Sequence, residues 1–447
     1  MKFLDVDTDE PICAIATPLA PSALGIVRFT GKNSLNLFVP LFSKPKQLQK
    51  IPHRSAIYGS VLTQDGKPID DVVVLVWREG GGYTGQEGAD IIAHGNPVIL
   101  LSIVEALIQV GFRQASPGEF TLRAFLNGKL DLTQAEAVNS LIHAKTAKAS
   151  ELALKRLHGV ISKEINEAKN VVLEQLAQVN IQLDYDEDDV DTMRLNSERL
   201  RKTADNLQAL AATCTRGLLY QDGIKVALTG AVNAGKSSLF NRFLQEERSI
   251  VSEEAGTTRD FLEGWINLEG VPLRLFDTAG LRETESKVES EGIRRSLELA
   301  ESADLLLVVV DGTHPEQPPE AIFQKPHLKI WNKVDLSPNV PPGYVGVSAH
   351  TGAGWQSLIH ELKQLINRLE GTKLEGGLSL DSLRQRDLIQ RAIKGINDAI
   401  KAEELGLPHD MIALDLQEAL NALGEITGEV TTDDILKTMF SGFCVGK

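Results

Sequence analysis

The run KVALTGAVNAGKS, residues 225–237, constrains this chain more than any other segment. An aliphatic strand-like stretch, Lys225 to Thr229, leads into Gly230-x-x-x-x-Gly235-Lys236-Ser237, and a helical stretch from Ser238 to Leu244 follows. Strand, glycine-rich loop and helix in that order make a phosphate cradle. The glycines let backbone N–H groups, those of Asn233, Ala234 and Gly235 among them, wrap an anion at the start of the helix. Lys236 brings a point charge to the β and γ oxygens of a nucleotide, Ser237 offers a hydroxyl to Mg2+, and Ser238 continues the cradle. Residues 225–369 then alternate strand, loop and helix, which predicts a parallel α/β domain.

Three further motifs narrow the nucleotide. Asp277-Thr278-Ala279-Gly280 closes the strand-like run Leu273 to Phe276, so that Asp277 can hold the metal through water and Gly280 can sense the γ-phosphate. Asn332-Lys333-Val334-Asp335 follows Leu328 to Trp331. A carboxylate at Asp335 accepts two hydrogen bonds from guanine, and adenine would leave that charge unpaired. Ser348-Ala349, after Tyr344 to Val347, fits a loop that supports the base. In order and spacing, residues 225–369 resemble the translation-factor-like GTPases. They differ in a Pro-rich stretch, His314 to Pro326, where a third helix is usual.

Two positions depart from the Ras pattern. Leu281 stands where a glutamine orients the attacking water, and an aliphatic side chain cannot do that. Glu283, Glu285, Glu289 and Glu291 all lie close by as replacements. Asn233 adds an amide oxygen to the phosphate loop, where it can ligate a monovalent cation or stand as an inert loop residue.

The rest of the chain excludes several classes. Lys and Arg number 46 against 61 Asp and Glu, a net charge of −15, so the protein is not a general polyanion binder. The charge is uneven, and residues 1–130 carry 12 basic and 12 acidic side chains. Any RNA contact is therefore expected in the first half. Runs such as Leu305 to Val310 are far shorter than the ~20 residues a membrane span needs. The acidic amino-terminal stretch lacks an apolar signal core, and three scattered cysteines, Cys13, Cys214 and Cys444, point to a reducing compartment. A cytoplasmic protein without membrane contact is the expectation. The terminal Cys-Val-Gly-Lys is not a prenylation box.

Organisation follows from texture. Residues 1–120 read as mixed α/β, with strands at Ile12–Ala16, Gly25–Phe29, Ala56–Leu62 and Asp71–Trp77, a Gly-rich loop, and a helix over Val98–Val110. Thr133 and Glu136 have capping-box spacing. Leu157, Ile161, Ile165, Ala168, Val172, Leu176, Val179 and Leu183 recur at steps of four and three, one face of a long helix. The acidic run Asp184 to Asp191 reads as a connector, and a second helix spans roughly Asn196 to Leu219. Residues 380–442 are helical again but make a marginal core alone, so they are expected to pack against the helices of 131–220. The α/β domain then becomes an insertion in a helical domain.

Several segments converge on one family. Gly256-Thr257-Thr258-Arg259-Asp260, Asp277 to Glu283 with Glu289, Ala16-Thr17-Pro18, Gly25-Ile26-Val27-Arg28, Pro117 to Val138, and the terminus Phe443 to Lys447 together resemble the MnmE (TrmE) family of tRNA-modification GTPases over nearly the whole chain. The resemblance implies a multidomain α/β and all-α protein. An N-terminal α+β folate-binding and dimerisation domain would span 1–123. A helical domain, 124–221 and 370–447, would be interrupted by a Ras-like P-loop G domain at 222–369. It implies a homodimer working with the flavoprotein MnmG in a heterotetramer. That complex adds an aminomethyl or carboxymethylaminomethyl group to the wobble uridine of certain tRNAs, using a tetrahydrofolate carbon (5-formyl or 5,10-methylene). GTP hydrolysis to GDP would be stimulated by K+ and by G-domain dimerisation.

By motif, the resemblance makes Asn233 the side-chain K+ ligand, with Ser252, Glu254 and Thr257 in the loop completing that site. It makes Ser237 and Thr258 Mg2+ ligands and selects Glu289 as the catalytic glutamate acting through water. Arg28, Lys129 and Lys447 match folate positions, and cations suit a folate's acidic tail. The family's Thr-Gly-Glu-Asp is here Thr84-Gly85-Gln86-Glu87, so Gln86 replaces the pterin-reading glutamate, with Glu87 next in line. Cys444 is placed to be a nucleophile on the tail, unless the partner supplies that chemistry. A second functional reading is a ribosome-assembly or regulatory GTPase acting as an RNA-binding switch. It needs a basic RNA module, whereas residues 370–447 carry 8 basic and 14 acidic side chains.

Overall fold

The computed structural model describes residues 8–184, 194–247, 262–277, 301–316, 324–370 and 378–446. The chain divides into two compact units: residues 1–139, 162–169 and 420–447, and residues 140–161 and 170–419.

The first unit is built on a six-stranded sheet. Its strands are β1 (Ile12–Ile15), β2 (Ser22–Thr30), β3 (Ser55–Leu62), β4 (Pro68–Trp77), β5 (Gly88–Gly95) and β6 (Arg113–Gln114), in spatial order β3-β4-β5-β2-β1-β6. All pairs are antiparallel except β1 with β6. Alternation makes β4 one-sided: Val72, Val74 and Val76 are buried while Val73 is exposed. Short helices α1 (Ser34–Phe38) and α2 (Pro45–Lys50) and the longer α3 (Pro97–Gln109) cover the buried face, around a Phe29, Phe38 and Phe112 ring cluster. Helix α4 (Glu119–Leu126) follows.

Strand β5 is absent from the sequence reading, which passes from a loop straight to α3. Its bounding glycines imitate turn residues, but a Cβ on Gly88 would lie 2.2 Å from the Phe29 carbonyl oxygen. That glycine permits close strand approach. Helix α5 (Leu132–His143) is also capped differently from expectation. The Asp131 carboxylate accepts from the Gln134 N–H (2.9 Å), and the Gln134 amide oxygen accepts from the Asp131 N–H (3.0 Å). The capping box is thus Asp131/Gln134, two residues before Thr133/Glu136, since Asp at N-cap satisfies the same donors as Thr. The Thr133 hydroxyl lies inside the first turn, against Asp131 and Ser162.

Helices α6 (Ala147–Leu157) and α7 (Val160–Asp184) divide the long apolar stripe. Gly159, at φ +79°, breaks it, so Leu157 belongs to α6. Ile161, Ile165, Ala168, Val172, Leu176 and Val179 are buried, and Leu183 is exposed. The next expected helix is two, α8 (Ser197–Ala212) and α9 (Cys214–Asp222).

The second unit holds a second six-stranded sheet: β7 (Ile224–Thr229), β8 (Leu262–Leu268), β9 (Val271–Asp277), β10 (Leu305–Asp311), β11 (His327–Asn332) and β12 (Val345–Val347), with α10 (Lys236–Glu246) after β7. The order is β12-β11-β10-β7-β9-β8, parallel throughout except β8 with β9. Every residue of β10 is buried, as a central parallel strand requires. Helix α11 (Trp355–Glu370) packs Trp355, Leu358, Leu362 and Ile366 into this core. Helices α12 (Leu383–Glu404), α13 (His409–Thr427) and α14 (Asp433–Ser441) complete the described chain. Within the second unit, α12 lies along α8. Nearby, the Leu195 N–H donates to Glu403 (3.0 Å) and the Leu380 N–H to the Thr213 hydroxyl (3.1 Å). Among the described residues, no helix is long and apolar enough to cross a membrane.

Candidate functional site

The loop from β7 to α10 emerges at the carboxyl end of β7, where the chain leaves for β10 on one side and β9 on the other. Open parallel sheets bind ligands at such a point. The turn needs left-handed backbone at three positions, Gly230 (φ +145°), Asn233 (φ +63°) and Gly235 (φ +92°). A Cβ on Gly230 would meet the Val309 carbonyl oxygen at 2.0 Å, and one on Gly235 would meet the Asn332 side-chain nitrogen at 2.2 Å. Asparagine is among the few other residues that tolerate this backbone, and Asn233 is exposed at the crest. Lys236 is buried and its ammonium donates to the carbonyls of Gly230 (2.9 Å) and Ala231 (2.7 Å). Burial lowers its pKa, opposed by the Asp277 charge. Ser237 is half-buried in the first turn of α10, Ser238 is exposed, and Asp277 is fully buried at the end of β9.

One hydrogen-bonded chain joins this cradle to the base motifs. The Asn332 amide donates to the Ala234 carbonyl (2.8 Å) and accepts from the Ala349 N–H (3.1 Å). Lys333, at φ +64°, pairs with Asp311 at 2.5 Å. Burial works against the Asp311 charge, but Lys333 and the hydroxyl and N–H of Thr313 outweigh it and hold the carboxyl at about 2. Asp335 is exposed beyond this pair, and Ser348 is buried, its hydroxyl accepting from the Thr351 N–H (3.1 Å).

A second constellation lies in the first unit. Arg28 on β2 and Asp90 on β5 are cross-strand partners, joined by two bonds of 2.7 and 3.1 Å. Arg28 also reaches the Gly446 carbonyl at 3.5 Å, and the Gly118 N–H donates to the Cys444 carbonyl at 3.3 Å. The carboxyl-terminal tail thus lies beside this sheet, with Cys444 exposed. Arg28, Trp77, Tyr83, Gln86, Asp90 and Phe120 line a cavity of about 40 Å³. Burial raises the Tyr83 pKa, against the pull of Thr121 and Arg28. Gln86 donates to the Thr8 carbonyl (2.7 Å) and accepts from Arg123 (3.3 Å). Glu87 accepts from the Leu35 N–H at 3.4 Å, and burial raises its pKa. Lys129 is exposed and donates to the Gly80 carbonyl at 2.7 Å. Behind Gln86 stands a buried ion cluster in which Glu119 takes Arg113 (2.7 Å) and Arg123 (2.8 Å).

The sequence matches the family described as the GTP-binding protein TrmE N-terminus over residues 11–129. It matches the MnmE helical domain family over residues 132–444. The tRNA modification GTPase MnmE of Aquifex aeolicus is 41% identical over 454 residues, covering 98% of this chain and all of that one. The chain belongs to the MnmE family of tRNA modification GTPases. The Treponema denticola member is 39% identical over 463 residues, with 98% of each chain covered. Among solved structures, the G domain of the T. maritima FeoB iron transporter is 27% identical over 33% of this chain and 98% of that one, with a TM-score of 0.25.

Several positions that the MnmE resemblance singles out, Ser252, Glu254, Thr257, Thr258, Thr278, Ala279, Gly280, Glu289 and Lys447, lie outside the described residues. So do Leu281, Glu283, Glu285, Glu291, part of the Pro-rich stretch and nearly all of the acidic run. The described residues bring together Lys236, Ala234, Gly235, Asn332 and Ala349 in one site, and Arg28, Gln86 and the tail in another. Sequence reasoning missed Asp90, Tyr83, Asp311 and the Glu119 cluster. Of these, only Asp311 carried a signal, ending the apolar run before the base motif at a parallel-strand terminus.

Proposed function

We propose that this GTPase of tRNA modification binds GTP across β7, β9 and β11 and uses its hydrolysis to GDP to drive closure of a tRNA-modifying complex. The bonded chain Ala234–Asn332–Ala349 carries the reading, because it ties a phosphate cradle to a base loop. Asp335 reads the guanine edge. Asn233, Ala234, Gly235, Ser238 and Lys236 hold the phosphates, with Lys236 leaving its loop carbonyls for the β and γ oxygens. Ser237 and the buried Asp277 are hard oxygen donors of the kind Mg2+ takes, joined in our reading by Thr258. The exposed amide of Asn233 suits K+, with Ser252, Glu254 and Thr257 completing the shell. Bound cations there supply positive charge to the β–γ bridging oxygen. Glu289 orients the attacking water in place of the missing glutamine.

In the first unit, Arg28, Lys129 and Lys447 offer cations to the tail of a tetrahydrofolate. The aromatic walls Tyr83, Phe120 and Trp77 suit its flat ring. Gln86 lines the same cavity in the place of the family glutamate, its amide donating to Thr8 and accepting from Arg123. The acid on this cavity is Asp90. When bound, the folate supplies the one-carbon unit, and Cys444 stands beside it on the tail. The partner we infer is the flavoprotein MnmG, acting on wobble uridine in tRNA with a homodimer of this chain in the cytoplasm. Mass spectrometry of wobble uridines in a strain lacking the protein tests the reading. Removing Phe443 to Lys447 is expected to abolish the modified uridine while GTP hydrolysis stays near normal. Normal uridine modification in that strain overturns the role of the tail.

A further inference from the structure

Arg242 lies on α10, two turns beyond the phosphate loop, and no nucleotide motif includes it. Its Nη1 donates to the Ala349 carbonyl at 3.1 Å and to the His350 carbonyl at 3.4 Å. Its guanidinium sits 5.7 Å from the centre of the Trp355 ring, and Nη2 donates to Glu246 one turn on, at 2.8 Å. The facing loop is shaped to admit it. A Cβ on Gly352, at φ +85°, would lie 2.1 Å from Nη2. Ala349 is also the residue whose N–H reaches Asn332, which in turn holds the Ala234 carbonyl.

These bonds close a ring. It runs from the phosphate loop at Ala234 to Asn332, to the N–H of Ala349, across that peptide neighbourhood to its carbonyl, to Arg242, and back along α10 to Gly235. One half of the ring, through Asn332, joins base motif to cradle. The other half exists only because a five-donor planar cation can hold two successive carbonyls while lying against the Trp355 ring. The root of the loop is held where β12 pairs with β11 and the Val334 N–H donates to the Val347 carbonyl (3.3 Å), and Ala349 is held on the Asn332 side by its N–H. Arg242 holds the opposite side, at the carbonyls of Ala349 and His350.

We propose that Arg242 is a positioning residue for guanine recognition, fixing the Ser348–His350 loop at the distance from the phosphate cradle that a guanine nucleotide spans. The inference rests on reading residues 225–369 as the GTP site. Arg242 touches no nucleotide itself, so its effect should appear only in ligands that carry the base. In the full chain, Arg242→Met is expected to weaken GDP by about tenfold, the worth of one charge-assisted hydrogen bond. Affinity for magnesium pyrophosphate, which lacks the base, stays unchanged. Arg242→Lys keeps a cationic donor on an aliphatic stem but not the planar fork, and should recover part of the loss.

Calorimetry with both ligands decides the matter. Equal weakening of GDP and pyrophosphate makes Arg242 a general support of the fold and overturns the proposal, as does unchanged GDP affinity. Should Arg242→Met fail to accumulate as folded protein, the same GDP-against-pyrophosphate split in Arg242→Lys carries the test with the same two outcomes. Asp335→Asn serves as the separate control. If it fails to favour xanthosine over guanosine diphosphate, the base-site reading has failed. If it switches while both Arg242 variants keep wild-type GDP affinity, only this proposal has.

Discussion

The phosphate loop and the Arg28 cavity each present a cation, and they are made of different materials. The loop depends on backbone: three left-handed residues within six positions, two glycines that neighbouring atoms forbid to grow a side chain, and one lysine held by the loop's own carbonyls. The cavity depends on side chains far apart in sequence. Arg28 and Asp90 are 62 residues apart, and Arg123 meets Gln86 from 37 away. A backbone site fixes its composition by local spacing. A side-chain site is fixed by strand register and can exchange one residue for another, as at Gln86.

This contrast predicts where each region breaks. The largest effect is expected at Arg123, which is fully buried against Glu119. Arg123→Met removes one partner of a buried pair, a change that costs about 3–5 kcal/mol. Native-state hydrogen exchange should show α4 losing protection while α10 keeps its own. Loss in both helices together would mean that the two regions do not differ in this way. Next is Asp335→Asn, which turns an acceptor into a donor opposite the guanine edge. A loss of about 2–5 kcal/mol in GTP affinity is expected, with xanthine nucleotide gaining. Calorimetry that finds GTP affinity unchanged removes Asp335 from the base site.

A smaller effect is expected at Asn233. Its amide lies on the crest of a loop that offers backbone N–H groups, so Asn233→Gly, which removes the amide and keeps the left-handed turn, should leave GTP affinity nearly intact. Turnover in K+ should fall about tenfold toward the rate in Na+, or roughly 1.4 kcal/mol. Equal wild-type turnover in the two salts would falsify the cation role while leaving the GTP site standing.

The same contrast explains what was legible beforehand. Strands β7, β9 and β11, the turn at Gly230–Ser237 and the base motifs could be read because each is a local pattern on a parallel sheet. Strand β5 could not, since Gly88 looks like a loop residue until the Phe29 carbonyl is placed against it. Asp90 went unread for the same reason, as only the β2–β5 register pairs it with Arg28. The capping of α5 was read two residues late because Asp131/Gln134 and Thr133/Glu136 both satisfy the spacing. The Arg242 contacts were invisible because Gly352 and Trp355 sit over a hundred residues away.

The smallest effect is the acid response at Glu119. Burial would lift its pKa, but hydrogen bonds from Arg113 and the Ser116 N–H and the charge of Arg123 together bring it below its ordinary value. A carboxyl with a depressed pKa in the folded state binds fewer protons there than when unfolded. Its contribution to stability is therefore complete above the unfolded value and is lost as pH falls through the folded one. The first unit should accordingly weaken as pH falls through about 4.5, where the unfolded carboxyl is half protonated. In Glu119→Gln no proton is taken up at this position. That variant should begin less stable at neutral pH, with two arginines sharing a neutral amide, yet lose less on acidification. The measurement is local exchange in α4, corrected for intrinsic rate, followed from about pH 6 to about pH 3 in both proteins. Parallel pH profiles would show that the acid response belongs to other carboxylates, and that the buried cluster is held by packing rather than by charge.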